Sequence, residues 1–356
     1  MSKLNIIPVF VPHYGCPNDC IFCNQRKITN QDYIKDYEDT KNSIEEYLNY
    51  FSNKDNETQI AFYGGSFTGL PMDVMKEFLS IGKSFIDRGV VNSLRLSTRP
   101  DYIDENILKI LKAYGVSTIE LGVQSLVDEV LIANQRNHLS DVVYKSSKLI
   151  KEFGFRLGLQ QMLGLYKSDM EMDLYTADEF IKIGPEFVRV YPTLVIKDSF
   201  LEKLYLDGKY KPYSLDETIK LCKDIYCKFY KSGIDVIRIG LQPTDNITFG
   251  KDVVAGPFHP SIRQLTIQEL YKDAMDEVLR NFIRQDVDVY VKNSELNYLV
   301  GNKGTNKKYL MEKYKIKKFR VHGTNIDRIK IQSSIDTVDL DMDNFLKSYR
   351  GLIRWN

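Results

Sequence analysis

Residues 5–23 read NIIPVFVPHYGCPNDCIFC, and this stretch decides the fold. Its first half is a short apolar run of the kind buried on both faces of a parallel sheet. Its second half is a loop carrying Cys16, Cys20 and Cys23 in the spacing Cys-x3-Cys-x2-Cys, with Phe22 just before the last cysteine. Three thiolates on one short loop can hold three irons of a cubic 4Fe-4S cluster, where full ligation uses four. The fourth iron is then open to a substrate or cofactor. A structural zinc site needs four closed ligands, and only His13 is near enough in sequence to be a local fourth. A disulfide within the loop leaves an odd thiol.

Moving outward from the loop, candidate strands recur at 59–63, 93–97, 118–123, 156–163, 187–192 and 235–239. Amphipathic stretches at 37–52, 72–88, 104–114, 139–153, 171–183 and 214–232 separate them. The strands are expected to be apolar on both faces, and Asp104 and Ser140 or Asp141 to cap helices. Strand and helix alternating at this spacing mean βα units, six or seven of them, hence an incomplete TIM-type barrel of the α/β class. Functional groups of such a barrel gather at the carboxyl ends of the strands. The cysteine loop follows the first strand, and Tyr63-Gly64-Gly65-Ser66-Phe67-Thr68 ends the second. Paired glycines admit a ligand close to the backbone, and bare carbonyl oxygens suit an ammonium group, which carries only donors. Later strands end in polar clusters: Ser97-Thr98-Arg99-Pro100-Asp101, Glu120-Leu121-Gly122-Val123-Gln124-Ser125, and Arg189-Val190-Tyr191-Pro192-Thr193.

The 356-residue chain exceeds what one core usually serves, so a large domain plus a small one is expected, divided as 1–255 and 256–356. A net charge of +1 announces no nucleic-acid partner by itself. Five cysteines without an even framework point to a reducing compartment, with Cys222 and Cys227 as buried bystanders. No apolar run approaches a membrane span and no signal peptide is seen, so the expected location is the cytoplasm.

The cysteine spacing is that of radical S-adenosylmethionine (radical SAM) enzymes. From about residue 8 to 265 the chain resembles the radical SAM domain of the Elongator catalytic subunit and its stand-alone bacterial relatives. The resemblance rests on YGGSFTGLP (63–71), LSTRPDYI (96–103), IELGVQS (119–125), GFRLGLQQMLGL (154–165) and VRVYPTLVIKDSFLEKLYLDGKYKPYS (188–214). It implies a partial (β/α)6 barrel with a 4Fe-4S cluster on Cys16, Cys20 and Cys23. It also implies S-adenosylmethionine held at Gly64, Gly65 and Ser66, with Gln124 and Ser125 facing its ribose or methionine part and Ser97 and Arg99 nearby. Arg189 stands where the family often has a lysine, on the floor of the active site beside Tyr191; both are assigned as catalytic. Arg136 and His138 match a family Asn-Arg-Gly-His element, with Asn137 in place of its glycine, a residue that tolerates φ > 0. The family's Elongator members carry an acetyltransferase domain after the barrel and a basic amino-terminal extension. This sequence shows no room for the first and starts almost at its first strand, and its cysteines are spaced more tightly than in the Elongator subunit.

After residue 255 the βα rhythm breaks at Gly256-Pro257-Phe258-His259-Pro260. A helix is expected at 263–284, then strand 287–291, helix 294–300, Gly301-Asn302-Lys303-Gly304, helix 306–314, and strands at 318–321 and 328–331. Helix, Gly-x-x-Gly, helix, strand is the core plan of a KH module, whose Gly-x-x-Gly loop clamps backbone nucleotides; the KH-like stretch is 286–332. From 301 to 320 eight Lys or Arg face Glu312 alone, a candidate phosphate surface centred on Gly301, Lys303, Gly304, Lys307 and Lys308. In 333–356, Phe345, Leu346, Tyr349, Leu352 and Trp355 are expected to pack as a closing helix.

The expected function is reductive cleavage of S-adenosylmethionine to a 5′-deoxyadenosyl radical that modifies RNA, with tRNA foremost and a ferredoxin or flavodoxin as electron donor. Two alternatives stand beside it. One is a radical SAM enzyme for a small metabolite or tetrapyrrole-like acid, bound through Arg189 or Arg263. The other is a non-enzymatic protein that keeps a cluster as a structural element or sensor.

Overall fold

The computed structural model describes residues 4–11, 20–24, 37–53, 56–241 and 247–351, which form two compact units. The first comprises residues 1–213 and 241–258, the second 214–240 and 259–356.

In the first unit six strands pair in sequence order, all parallel: β1 (Leu4–Val11), β2 (Glu57–Gly64), β3 (Ser93–Thr98), β4 (Val116–Gln124), β5 (Arg156–Leu163) and β6 (Phe187–Pro192). Helices α1 (Tyr37–Tyr50), α2 (Met72–Asp87), α3 (Glu105–Ala113), the short α4 (Asp128–Ala133), α5 (Ser140–Glu152) and α6 (Met170–Ile183) fill the connections. Parallel strands need such crossovers, and placing them on one side buries one strand face under helices. That face is apolar: Phe62 stacks on Phe67 and meets Phe78 of α2 edge-on, and Leu94, Leu96, Ile119, Leu121, Leu157 and Val188 are buried.

The other face is polar, which corrects the expectation of strands apolar on both faces. It carries Tyr63, Arg95, Glu120 and Arg189. The Arg189 guanidinium on β6 lies 3.0 Å from the Tyr63 hydroxyl on β2, although three strands separate β2 from β6 in the sheet order. Such a contact requires the sheet to curl, so these side chains line the concave face of a half-barrel.

The connections explain their own ends. Asp104 caps α3, its carboxylate accepting from the Ile107 amide at 2.8 Å. Asp169 does the same for α6, which stops at Gly184 in the left-handed conformation. The cap expected of Ser140 or Asp141 is not formed. Instead Asp128, at the start of α4, accepts from the Ser140 amide at 2.8 Å, and Asp141 pairs with Lys145. A two-stranded pair, β7 (Val195–Ile196) with β9 (Val253–Ala255), and helix α7 (Phe200–Leu206) complete the unit.

The second unit holds α8 (Leu215–Lys231), strand β8 (Asp235–Ile239), helix α9 (Ile262–Leu279) and a four-stranded mixed sheet. Its strands are β10 (Val287–Lys292), β11 (Phe319–Thr324), β12 (Ile329–Gln332) and β13 (Thr337–Leu340), in the order β11-β10-β12-β13. β11 runs parallel to β10, and β12 is antiparallel to it. Helices α10 (Leu296–Val300) and α11 (Thr305–Tyr314) connect β10 to β11, and α12 (Met342–Ser348) follows β13. Met275, Leu279, Phe282, Val289, Leu310 and Phe319 make its core. Cys222 and Cys227 are buried in α8, as expected. The closing helix is shorter than the sequence suggested: Phe345 and Tyr349 pack against α8 and α9 residues, β13 takes 337–340, and Leu352 and Trp355 lie outside the described residues. Among the described residues no helix is long and apolar enough to cross a membrane.

Candidate active site

The register of the first sheet brings the carboxyl ends of β1 to β6 to one edge. Val11 is opposite Gly64, and Ser97 is opposite Glu120. The chain leaves β1 at that edge into the cysteine loop. Cys16 lies outside the described residues; Cys20 and Cys23 are described. The Cys23 amide donates to the Cys20 carbonyl at 2.9 Å, closing a tight turn. Ile21 anchors that turn, donating to the Asn134 carbonyl and accepting from the Leu201 amide at 2.8 Å. Its side chain packs among Val195, Leu201, Leu204 and Tyr210.

Cys20 is buried and its sulfur receives two guanidinium groups. Arg136 Nη1 is 3.3 Å away and Arg99 Nη1 3.7 Å. Arg99 is itself held by both oxygens of Asp101, at 2.9 Å each, and by the Arg136 carbonyl. Arg136 also donates to the Gly122 carbonyl of β4, and its Nε has no partner among the described residues. Cationic donors around a thiolate suit an anionic iron–sulfur centre. His138 is buried beside them. Burial, reinforced by the Arg136 charge, pushes its pKa down to about 4, so it is neutral at physiological pH, and its Nε2 has no partner among the described residues.

Gly64 ends β2 with φ +126°, and a Cβ there would lie 2.6 Å from the Val11 carbonyl oxygen. Only glycine fits this position, next to the start of the cysteine loop. Gly65 is half-buried, and the buried Ser66 leads into a 3-10 turn, Phe67–Gly69. At the end of β4, Gln124 adopts φ +76°, where the β4–β5 register slips, and its buried Oε1 has no hydrogen-bond partner among the described residues. A strained residue presenting an unpaired buried acceptor marks a ligand site more strongly than a polar residue type alone. Ser97 lies on the same concave side, half-buried on β3. The Ser125 hydroxyl accepts from the Val127 amide at 3.2 Å and meets Thr176 of α6, so it also shapes the turn into α4.

Arg189 is engaged inside the half-barrel. It pairs with Glu120, which is 0% exposed, while Arg95 Nε lies 3.2 Å from the other Glu120 oxygen without hydrogen-bond geometry. Burial opposes the Arg189 charge, but Glu120 and the neighbouring tyrosines outweigh it and hold the guanidinium charged. Burial, with Glu120 close by, pushes Tyr63 up to about 12. Tyr191 is half-buried two residues beyond Arg189 on the same face. The sequence did not point to Arg95, and it offered Tyr63 only as the first residue of the Gly-Gly motif, with no role of its own. Arg95 sits in an apolar run, where a lone charge offers no local clue.

In the second unit the Gly-x-x-Gly turn forms between α10 and α11. Gly301 (φ +79°) is required sterically, since a Cβ would meet the Asn306 amide nitrogen at 2.7 Å, whereas a Cβ on Gly304 would meet nothing within 4 Å. The turn is tied to α9: Gln268 accepts from the Asn302 amide at 3.1 Å, and Asn306 donates to the Gln268 carbonyl at 2.7 Å. Lys303 and Lys308 are exposed and Lys307 is half-buried. Two of the eight basic residues of 301–320 are engaged within the unit, Lys313 by Asp276 and Arg320 by Asp288.

Residues 10–178 match the radical SAM superfamily, and residues 185–272 match the radical SAM C-terminal domain. The chain belongs to the radical SAM superfamily. It is similar to the tRNA uridine(34) acetyltransferase of Methanocaldococcus jannaschii, 34% identical over 132 residues, which are 36% of this chain and 24% of that protein. It is 27% identical to Elongator complex protein 3 of Saccharomyces cerevisiae over 266 residues, 62% of this chain and 47% of the relative. The chain thus spans about half or less of the length of these curated relatives. The solved structure of archaeal Methanocaldococcus infernus Elp3 with an N-terminal deletion shares the fold, with a TM-score of 0.63 at 22% identity over 77% of this chain and 64% of that one.

Proposed function

We propose that this radical SAM enzyme acts on RNA, with tRNA as the substrate class. Family membership implies a 4Fe-4S cluster and S-adenosylmethionine. Gln124 is the observation that supports the cofactor site: a strained strand end whose buried amide oxygen lacks a partner among the described residues, at the sheet edge where β1 and Gly64 also end. Bound together, the two groups supply a 5′-deoxyadenosyl radical able to abstract a hydrogen atom.

The chain's own residues then have distinct tasks. Cys16, Cys20 and Cys23 hold the cluster. Arg99 and Arg136 direct N–H groups at the Cys20 sulfur, and Asp101 fixes the orientation of Arg99. The backbone at Gly64 and Gly65 accepts the ammonium group, with Ser66 and Ser97 nearby. Gln124 offers its amide oxygen to the cofactor, and Ser125 keeps the Gln124 turn in shape. Arg189 and Tyr191 line the concave floor with Tyr63 and Glu120, orienting substrate and excluding water. Gly301, Lys303, Gly304, Lys307 and Lys308 provide a phosphate-facing surface on the carboxyl-terminal unit. A ferredoxin or flavodoxin supplies the electron, and the cytoplasm is the expected location.

Support for RNA comes from relatives named for tRNA uridine modification and from the basic turn. The acid-substrate alternative relied on Arg189 or Arg263. Arg189 is already engaged by Glu120 and Tyr63, and Arg263 donates to the Val236 carbonyl. Mass spectrometry of tRNA nucleosides from wild-type and deletion strains tests the proposal. One nucleoside missing from the deletion strain is expected; identical profiles contradict it.

A further inference from the structure

A second polar recess opens just past the carboxyl end of β5, at the same edge of the first sheet as Gly64 and Gln124. It is a cavity of about 300 Å³ between the loop 164–168 and the segment 209–213. Four hydrogen bonds fix its walls. The Gly164 amide donates to Asp173 Oδ2 at 2.8 Å and the Tyr213 hydroxyl to the same oxygen at 3.0 Å. Ser168 donates to Asp173 Oδ1 at 2.8 Å, and Tyr210 donates to the Gly164 carbonyl at 2.6 Å. Asp173 is the buried anchor of both walls, with its oxygens turned towards these donors.

The lining is cationic. Lys167, Lys209 and Lys211 all line the cavity and all are exposed. Lys209 pairs with Asp207 at 3.2 Å, while Lys167 and Lys211 have no ion-pair partner among the described residues. Tyr166 adds a ring, edge-on to Tyr210 at 6.4 Å. Lysine ammonium groups are compact point charges, which suit a phosphate without demanding one fixed approach. The volume exceeds that of a bare phosphate and admits a phosphodiester with part of a flanking ribose.

We propose that this recess is a subsite for one backbone phosphodiester of the RNA substrate, anchoring the strand at the active edge of the half-barrel. The inference rests on the RNA reading above and assigns a recognition role to residues outside the Gly-x-x-Gly surface. Neutralising that phosphate releases its counterions, so removing both ammonium contacts to it flattens the salt dependence of binding by one phosphate's share.

The test uses the full chain, anaerobically reconstituted, as wild type and as the double variant Lys167→Gln, Lys211→Gln. Both side chains are exposed, so folding should be retained. Binding of an in vitro transcribed tRNA is measured by fluorescence anisotropy at several salt concentrations. Cleavage of S-adenosylmethionine without RNA is the control. The slope of log K against log[salt] is expected to fall in magnitude by roughly 0.7–0.9 in the variant, with control cleavage unchanged. An unaltered slope and affinity, with wild type binding RNA, overturns the subsite and leaves the RNA reading standing. Failure of the wild type to bind RNA overturns both. Inorganic phosphate and a nucleoside 5′-monophosphate form the last arm. If they bind the wild type but not the variant while RNA binding is unaffected, the recess serves a small phosphorylated ligand and the proposal fails.

Discussion

Each unit places one strand carboxylate between two basic side chains from other strands of its sheet, and solvent makes the two constellations different objects. In the first unit Glu120 is enclosed and shared by Arg95 and Arg189. In the second, Asp288 on β10 takes both prongs of Arg320, at 2.8 Å each, and His322 Nε2 at 2.7 Å, on a sheet face open to water. Hydrogen bonds from Arg320, then from His322, hold Asp288 well below the usual carboxylate range. A charge that water can screen contributes little; an enclosed charge is costly to leave without its partner. The first unit can therefore keep a rigid charged floor beneath its strand ends, whereas the second has a polar surface that is cheap to alter.

Removing the enclosed charge should have the largest effect. Glu120→Gln leaves two guanidinium groups facing a neutral amide. A loss of about 3–5 kcal/mol is expected, seen as a lower urea midpoint of the transition that reports on the first unit. A loss below about 1 kcal/mol would mean water reaches the floor.

Asp173 sharpens the comparison, because it is enclosed without a cation. Burial pushes it up to about 7 despite three donors. The folded state thus retains a proton that the unfolded chain releases near pH 4. Stability contributed by this group is complete below pH 4 and is lost as pH rises towards about 7, at no more than about 1.4 kcal/mol per pH unit. Asp173→Asn should remove that slope. The difference in unfolding free energy between wild type and variant, followed from pH 4.5 to 7.5, checks it; parallel curves would contradict it.

The smallest effect is expected at the exposed triad. Asp288→Asn should cost about 1 kcal/mol or less, and less still in 0.5 M salt. A large, salt-insensitive loss would show that the face is covered.

How much of this was legible in the sequence follows from where each interaction lies along the chain. The six βα units could be read because one face of every strand is apolar and each helix carries an amphipathic stripe. The Asp104 cap and the helix–Gly-x-x-Gly–helix order are likewise local and were read correctly. Arg189 was placed on the floor by the resemblance, but its partners were not read, since Tyr63, Arg95, Glu120 and Arg189 come from four strands and meet only because the sheet curls. Arg136 reaches Cys20 across 116 positions, a contact that no local pattern encodes. Helix α4, six residues long, and strand β13, four residues long, are too short to establish a period. The Gly-x-x-Gly turn reads identically whether it clamps a ligand or closes a tight corner. Here Gly301 is required by the corner, and the open side of Gly304 is what a ligand could approach.

The proposed reaction requires a cluster seated on Cys16, Cys20 and Cys23 with one iron left for S-adenosylmethionine. Anaerobic reconstitution with iron and sulfide, followed by electron paramagnetic resonance of the dithionite-reduced protein, tests this most directly. A cluster of about four irons per chain is predicted. Its signal should change on adding S-adenosylmethionine, 5′-deoxyadenosine should form, and Cys20→Ser should abolish both. Tightly bound zinc, or a chain that assembles no cluster under these conditions, would contradict it.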